Sequence, residues 1–313
     1  MRAIAIDLGG SHATVAAVEE RRILGSKVIS LDSLHGLGPA LPLLASAIRD
    51  VLSRAGRQIG DFSGLVMSFC GLADVKTGRV VSTNKKYDDA VQIDLPAWCK
   101  REFGLKFLIE NDARMALLGE WHAGAARGTN DVVMITLGTG IGGAAMMNGE
   151  LIRGKHVQGG CLGGHLPVLF TGRRCTCGAI GCAEAEASGW ALPLIVREWP
   201  RASESKLSRA EKINFETLFQ LADEGDEVAL AIRDRCLYVW ASLAVGLIHA
   251  YDPEKIVIGG GVMGNAKLIV PTIQSYVERH SWTPWGTVRL AAAELGNDAA
   301  LMGAVPLSNL CAR

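Results

Sequence analysis

Cysteine and histidine side chains gather in one stretch of the sequence, and their spacing favours a metal site. Cys175, Cys177 and Cys182 stand within eight positions, and His165 precedes the first of them by ten residues. Three thiolates and one imidazole form a tetrahedral set typical of structural zinc, with no coordination position left for a water. The sequence therefore predicts a structural zinc ion. Unrelated thiols are the alternative, and so close a spacing disfavours them.

A second group of chemically capable residues follows the apolar run "FLI" at 107–109. Glu110, Asn111 and Asp112 stand where a strand is predicted to end and an amphipathic helix to begin, which is where open α/β sheets bind ligands. If phosphates bind nearby, Asp112 is placed to accept a proton from an attacking hydroxyl, and Asn111 to orient the substrate. The alternative is that Asn111 or Asp112 caps the helix.

One glycine-rich pattern occurs twice, as "AIAIDLGGSHATVAAVEERRILGSK" at 3–27 and "VVMITLGTGIGGAAMMNGELIRGK" at 132–155. Each copy is predicted to form a strand, a tight turn, a second strand and a short return strand. Strand-turn-strand units are common in α/β proteins, which is the plain alternative. Two copies with their glycines in register instead predict two lobes of related topology.

The glycine-rich turns favour phosphate binding, because backbone N–H groups can approach an anion closely where Cβ is absent. Asp7 is predicted to hold Mg²⁺ through water. A third cluster, at 259–261, favours contact with a nucleotide base or ribose, with a plain strand-to-helix turn as the alternative. The predicted nucleotide-binding residues are Asp7, Gly9, Gly10, Ser11, Gly138, Thr139, Gly140, Gly142, Gly143, Gly259, Gly260 and Gly261.

Length and composition set the frame for these sites. The 313 residues suit two domains, and apolar runs alternating with helical patterns indicate the α/β class. Lys+Arg and Asp+Glu are both 32, so the net charge is zero and does not favour binding to nucleic acid or to an anionic membrane surface. The N-terminus lacks the apolar core of a signal peptide, so we expect a cytoplasmic protein with reduced thiols. Isolated cysteines are then packed side chains, namely Cys70, Cys99, Cys236 and Cys311.

Taken together, these motifs resemble the ROK family of bacterial sugar kinases, within the sugar kinase, Hsp70 and actin superfamily. The resemblance covers nearly the whole chain and rests on "DLGGS" (7–11), "END" (110–112), "LGTGIGG" (137–143), "GGH" (163–165), "CTCGAIGCAE" (175–184) and "GGGV" (259–262). It implies two actin-like, ribonuclease H-like lobes with a cleft between them. The lobes are expected at 1–113 plus 297–313 and at 114–296, with the zinc in the C-terminal lobe and commonly a homodimer.

The resemblance implies ATP-dependent phosphorylation of a hexose, usually at the 6-hydroxyl, with Mg²⁺ accompanying ATP. Asp112 is then the general base and Asn111 a sugar contact. Glu184 is expected to bind hydroxyls near the anomeric carbon, and His165 to bind zinc with one ring nitrogen and sugar with the other. Zinc would order the sugar-binding loop without entering the chemistry.

One departure concerns sugar specificity. Family members usually carry a glutamate three residues before the motif histidine, and here that position is Leu162. Leucine accepts no hydrogen bond, so the sugar is expected to differ from plain glucose at one hydroxyl, or Gln158 to substitute. Asn84 is the predicted sugar contact from the N-terminal lobe. Lys85 and Lys86 indicate either a solvated loop or an acidic group on the substrate.

Two alternatives of another class are weaker. ROK repressors carry a DNA-binding domain before the first phosphate strand, which here begins by residue 3, and the zero net charge offers no basic surface. A sugar-sensing protein without catalytic activity should carry substitutions at Asp7, at Asp112 or in the glycine-rich turns, and the sequence has none there. The segment 297–310 is predicted to be a helix that returns to the N-terminal lobe, capped by Asn297 or Asp298.

Overall fold

The computed structural model describes residues 1–311, which form two compact units. The first unit comprises Met1–Gly128, Arg153–Gly159 and the chain from Glu294 onward; the second comprises Thr129–Ile152 and Gly160–Ala293. The lobe boundaries predicted from the sequence, at 113/114 and 296/297, stay a prediction. The two compact units have their corresponding boundaries at 128/129 and 293/294. None of the helices within residues 1–311 combines the length and the apolar character needed to cross a bilayer.

Twelve strands are assigned within the described residues, and they form two five-stranded sheets and one two-stranded ribbon. Their bounds are β1 Arg2–Leu8, β2 His12–Glu19, β3 Arg22–Ser30, β4 Leu65–Phe69, β5 Leu72–Asp74, β6 Arg79–Ser82, β7 Phe107–Asn111, β8 Val132–Leu137, β9 Ile141–Met147, β10 Glu150–Leu151, β11 Lys255–Gly259 and β12 Arg289–Ala292.

Helices connect and cover these strands. The α-helices are α1 Leu41–Arg54, α2 Leu95–Phe103, α3 Asp112–Ala123, α4 Ala183–Ala187, α5 Leu192–Glu198, α6 Phe215–Asp223, α7 Glu227–Tyr251, α8 Ala266–His280, α9 Ala299–Met302 and α10 Ala304–Leu310. Short 3-10 turns lie at Ser33–His35, Gly38–Ala40, Ile59–Asp61, Asp88–Gln92, Gly163–His165, Ala202–Glu204, Leu207–Arg209, Gly261–Asn265 and Gly296–Asp298.

The two large sheets share one topology. The first has the order β3-β2-β1-β4-β7, in which β2 is antiparallel to β1 and β3, whereas β4 and β7 run parallel to β1. The second has the order β10-β9-β8-β11-β12 with the same strand directions. The duplication predicted from the two glycine-rich segments is therefore confirmed at the level of strand order.

Each sheet is packed into its own apolar core. In the first unit, α1 packs against β2 and β3, and α10 packs against β1 and β4. The central strand β4 is buried along its whole length, as expected for a parallel strand covered on both faces. In the second unit, the 25-residue helix α7 packs against α4, α6 and α8, and the ring of Trp240 is fully buried.

The C-terminal segment returns to the first unit, but not as one helix. It divides into α9 and α10 at Gly303, where an added Cβ would lie 2.3 Å from the carbonyl oxygen of Met115. Such a close backbone approach requires glycine. Asp298, one of the two predicted caps, occupies the N-cap position of α9, but its side chain makes no capping hydrogen bond there.

Candidate active site

The first phosphate turn, Gly9–Ser11, joins β1 to β2 at the carboxyl end of β1. Its carbonyl groups are held by the protein: Gly9 accepts from the Tyr87 hydroxyl at 2.7 Å, and Gly10 accepts from the Ser33 N–H at 3.1 Å. Within residues 1–311, the N–H groups of Gly10 and Ser11 have no acceptor. This leaves two adjacent backbone donors available to an anion, and phosphate binding by the turn stays a prediction.

Asp7 lies in β1 just before this turn, and its Oδ1 accepts a 2.7 Å hydrogen bond from Ser68 Oγ in β4. Burial raises the pKa of Asp7, and the Ser68 hydrogen bond opposes that rise. A single carboxylate beside free backbone donors suits Mg²⁺, which takes few protein ligands and keeps much of its water. The residues therefore fit a magnesium ion that accompanies a polyphosphate.

Asn111 and Asp112 lie at the junction of β7 and α3, two strands away from β1. The Oδ1 of Asn111 accepts from the N–H groups of Ala113 at 3.1 Å and Arg114 at 3.3 Å, so Asn111 is the helix cap. Its Nδ2 donates to the Gly71 carbonyl at 3.1 Å and to Asp112 Oδ1 at 2.9 Å. Asn111 thus fixes the orientation of Asp112, and its role as a sugar contact stays a prediction.

The carboxyl group of Asp112 is both accessible and poorly hydrated. Its side chain is exposed to solvent, so a hydroxyl can reach it. Protein atoms nevertheless crowd the group, and desolvation raises the pKa of Asp112 to about 6. The Ala113 N–H opposes this rise, the charge of Asp7 adds to it, and the charge of Lys86 opposes it. A carboxyl with a pKa near neutrality suits a general base.

The second phosphate turn joins β8 to β9 and is shorter than predicted. It spans Gly138–Gly140, whereas Gly142 and Gly143 lie within β9, so their assignment to the turn was wrong. An added Cβ on Gly143 would lie 2.9 Å from the Gly163 backbone, so this glycine serves packing. The Gly138 and Thr139 carbonyls accept from the N–H groups of Gly189 and Trp190 at 2.9 Å each.

The third glycine cluster lies at the end of β11 and leads through a 3-10 turn into α8. Gly260 has φ +97, a conformation that favours glycine. An added Cβ there would lie 2.3 Å from the Leu137 carbonyl oxygen. Gly260 therefore has a packing role against β8, and contact of Gly259–Gly261 with a nucleotide stays a prediction.

The four predicted zinc ligands come together in the second unit. The ligand atoms of His165, Cys175, Cys177 and Cys182 all lie within 4.8 Å of one another. His165 Nδ1 is 3.4 Å from Cys175 Sγ, and Cys177 Sγ is 3.7 Å from Cys182 Sγ. Tetrahedral zinc with ordinary bond lengths sets its ligand atoms about 3.5 to 3.8 Å apart. The donor types and spacing therefore fit zinc, and Nδ1 is the imidazole atom on the metal side.

Two glutamates of α4 tie this cluster to its surroundings within the second unit. Glu184 Oε2 accepts from the Ile141 N–H at 2.9 Å, directly after the second phosphate turn, and Oε1 accepts from Trp190 Nε1 at 3.2 Å. The buried Glu186 accepts from the Arg173 N–H and pairs with Arg235 of α7. Glu186 was not among the residues predicted from the sequence, although its position two residues after Glu184 was a signal.

A buried ion cluster directly precedes Asn111, and no sequence pattern predicted it. Glu110 has no exposed surface, and its carboxylate contacts Arg114 at 3.2 Å and Arg153 at 2.7 Å. Arg114 also donates to the carbonyls of Val157 and Gly159. The cluster anchors the segment Arg153–Gly159 in the first unit, behind the residues at the start of α3.

The remaining predicted contacts lie on the surface. Asn84 is exposed in the segment after β6, and Leu162 is exposed at the start of the 3-10 turn before His165. The predicted contact of Asn84 with a sugar, and the predicted effect of Leu162 on sugar specificity, stay predictions. Lys85 is exposed, whereas Lys86 is half-buried against the first phosphate turn.

Known proteins resemble this chain along nearly its whole length. The sequence model of the ROK family matches residues 3–309. A glucokinase of Thermotoga maritima is 32% identical over 319 residues, which cover 98% of this chain and 97% of the relative. A ROK hexokinase structure from Thermus thermophilus has 27% identity and a TM-score of 0.80, with coverage of 100% and 99%. A ROK family glucokinase from Streptomyces griseus, in complex with glucose and AMPPNP, has 27% identity, a TM-score of 0.80, and coverage of 99% and 100%.

Proposed function

Because the chain belongs to the ROK family, we propose that it is a sugar kinase that transfers the terminal phosphoryl group of ATP to a hexose or hexose-like sugar. The 6-hydroxyl is the proposed acceptor. Glucokinase relatives at about 30% identity over nearly the full chain support the sugar kinase class. The observation that carries the proposal is Asp112, an accessible carboxyl with a pKa of about 6, in the same unit as a turn with free backbone donors.

In the proposed reaction, Asp112 takes the proton of the sugar hydroxyl as its oxygen attacks the terminal phosphorus. Asn111 holds the carboxyl through the 2.9 Å hydrogen bond to Oδ1, which leaves Oδ2 to face the hydroxyl. The N–H groups of Gly10 and Ser11 bind phosphate oxygens and stabilise charge in the transition state. Asp7 would hold Mg²⁺ through water, and this ion neutralises phosphate charge when bound.

We further propose that the predicted zinc site, formed by His165, Cys175, Cys177 and Cys182, organises sugar recognition. With Nδ1 of His165 on the metal side, Nε2 is the ring nitrogen available for a sugar hydroxyl. Zinc, when bound, fixes the loop and the imidazole tautomer. The Glu184 carboxylate retains acceptor capacity beyond its two hydrogen bonds, because a carboxylate offers about four lone-pair sites. Asn84, Asn111, His165 and Glu184 are the proposed sugar contacts.

The identity of the sugar depends on Leu162. A hydroxyl that meets leucine instead of glutamate loses a charged acceptor, at a cost of about 1 to 3 kcal/mol if it is buried. We therefore propose a hexose that lacks this hydroxyl or carries a substituent there. Replacing Leu162 with glutamate should then raise kcat/KM for glucose relative to the preferred sugar.

We also propose that the protein forms a homodimer through an apolar surface on the second unit. Phe170 is 90% exposed, Ile180 54% and Tyr238 57%, and Leu169 lines a groove of about 390 Å³ beside Tyr238. Large exposed apolar side chains that lie near one another are typical of an interface. Leu169, Phe170 and Ile180 lie in the segment 165–182, which carries the predicted zinc ligands, and Tyr238 lies in α7. Dimerisation through this surface would therefore also restrain that segment.

A sugar panel with Mg·ATP tests the proposed function. Glucose, mannose, fructose, allose, glucosamine and N-acetylhexosamines are assayed for ADP release, with the Asp112→Asn variant as the inactive control. We expect one sugar to support turnover in the unmodified protein, and turnover of that sugar to be at least about 100-fold slower in the variant. Sugar binding without ADP release from any member would contradict the kinase proposal and favour a sugar sensor.

A further inference from the structure

A short loop after β6 carries Lys86 to the first phosphate turn. An added Cβ on Gly10 would lie 3.1 Å from Lys86 Cε and 3.3 Å from Lys86 Nζ. The ammonium group therefore lies against the backbone whose N–H groups are left for an anion. The sequence predicts the same two possible roles for Lys85 and Lys86, and only the fold distinguishes them.

The conformation of this loop is held by the residue after Lys86. Tyr87 is fully buried, its hydroxyl donates to the Gly9 carbonyl at 2.7 Å, and its N–H donates to the Ser33 carbonyl at 2.8 Å. Lys85 and Tyr87 both adopt positive φ, at 56° and 57°. Such conformations are unfavourable for residues with a Cβ and persist when surrounding contacts enforce them. The position of Lys86 is therefore set by the same contacts that hold the phosphate turn.

The charge of Lys86 also reaches the proposed base. It lowers the pKa of Asp112, and it lowers the pKa of Cys70, which follows β4. Within residues 1–311, Lys86 has no hydrogen bond to any acceptor and no ion pair. A lysine ammonium has three donors, so all three remain available to a ligand between the turn and the base.

We propose that Lys86 binds the terminal phosphoryl group of the nucleotide at the first phosphate turn. This inference rests on the proposed kinase function. In it, the ammonium group of Lys86 supplements the backbone N–H donors of the turn. The ligand chemistry is an anionic oxygen group, which an acidic sugar could also supply. The contact between Lys86 and Gly10 favours the nucleotide, because the turn is the predicted phosphate site.

In the transfer step, the sugar oxygen forms a bond to the terminal phosphorus while the bond to the bridging oxygen breaks. ADP leaves with the electron pair of that bond, and the hydroxyl proton passes to Asp112. Lys86 keeps its protons throughout and offsets charge on the non-bridging oxygens of the transferred group. Phosphoryl transfer depends largely on such positioning and charge stabilisation.

Calorimetric titration with Mg·AMPPNP and Mg·ADP tests this role without turnover. Lys86→Ala should weaken Mg·AMPPNP binding by roughly 10- to 100-fold, the range for a lost charged hydrogen bond, and leave Mg·ADP within about twofold. Lys86→Arg should recover part of the loss, because the cation is kept. Lys85→Ala is the matched control, since that neighbouring lysine is exposed, and it should bind both nucleotides normally.

Unchanged AMPPNP binding in Lys86→Ala, or an equal loss for AMPPNP and ADP, would overturn the proposal. So would a variant that binds both nucleotides normally but loses affinity for glucuronate relative to glucose, because the anion would then belong to the sugar. Lys86→Met, which keeps the aliphatic stem, serves if the alanine variant unfolds. An unmodified protein that binds AMPPNP through Lys86 but phosphorylates no sugar would refute the kinase proposal alone.

Discussion

Replacing Asp112 with asparagine removes the proposed proton acceptor and keeps its shape. Its Oδ1 accepts from the Ala113 N–H at 2.8 Å and from Asn111 Nδ2 at 2.9 Å, and an amide oxygen can accept both bonds. The start of α3 should therefore stay intact. A general base contributes about 100- to 10,000-fold to a rate, so kcat should fall by that factor while sugar affinity changes little.

The pH dependence of the unmodified protein tests the same residue independently. Desolvation penalises the carboxylate, so Asp112 stays protonated up to a pKa of about 6, and only the ionised form accepts a proton. The value of kcat/KM should therefore rise with pH, reach about half its plateau near pH 6, and be roughly a tenth of the plateau one pH unit lower. Thermal unfolding over the same pH range separates loss of catalysis from loss of structure.

The assay is ADP release at saturating Mg·ATP and limiting sugar, from about pH 4.5 to about pH 8.5. A rate independent of pH across the range around 6, in protein that remains folded, would refute the assignment of this carboxyl as the base. Near-normal turnover of Asp112→Asn would refute it as well. Lys86→Ala gives a directional check, because removal of its charge should move the rising limb to higher pH.

Three further changes test other parts of the structure. Cys177→Ser removes a thiolate from the predicted zinc site, so metal analysis should show lost zinc and sugar affinity should fall about tenfold, with Cys311→Ser as the control. Glu120→Ala removes the buried carboxylate that accepts from the N–H groups of Ala125, Glu294 and Leu295, and urea unfolding should show a loss of about 2 to 5 kcal/mol; an unchanged midpoint would contradict this. Phe170→Asp should yield monomers by sedimentation, whereas Trp282→Asp, 79% exposed but outside the apolar surface, should not.

Local sequence patterns determined the elements and many of the reactive groups. Apolar runs with glycine turns gave the strands that bracket the two phosphate turns, because strand and turn preferences act over neighbouring residues. The four residues of the predicted zinc site were also singled out by their close spacing, and the structure brings their ligand atoms within 4.8 Å of one another. The duplicated pattern predicted two sheets of one topology, and the strand orders agree.

Only the tertiary structure determined which residues from distant parts of the sequence contact one another. Lys85 and Lys86 are neighbours of the same type, yet only Lys86 lies against Gly10, which is 76 positions earlier in the chain. The buried Tyr87, next to Lys86, holds the loop in this position through its hydrogen bond to the Gly9 carbonyl. A glutamate is ordinarily expected on the surface, yet Glu110 is fully buried. Its carboxylate is paired with two arginines, one of them 43 positions away in the sequence. Such roles depend on contacts between segments far apart in sequence, which no local pattern encodes.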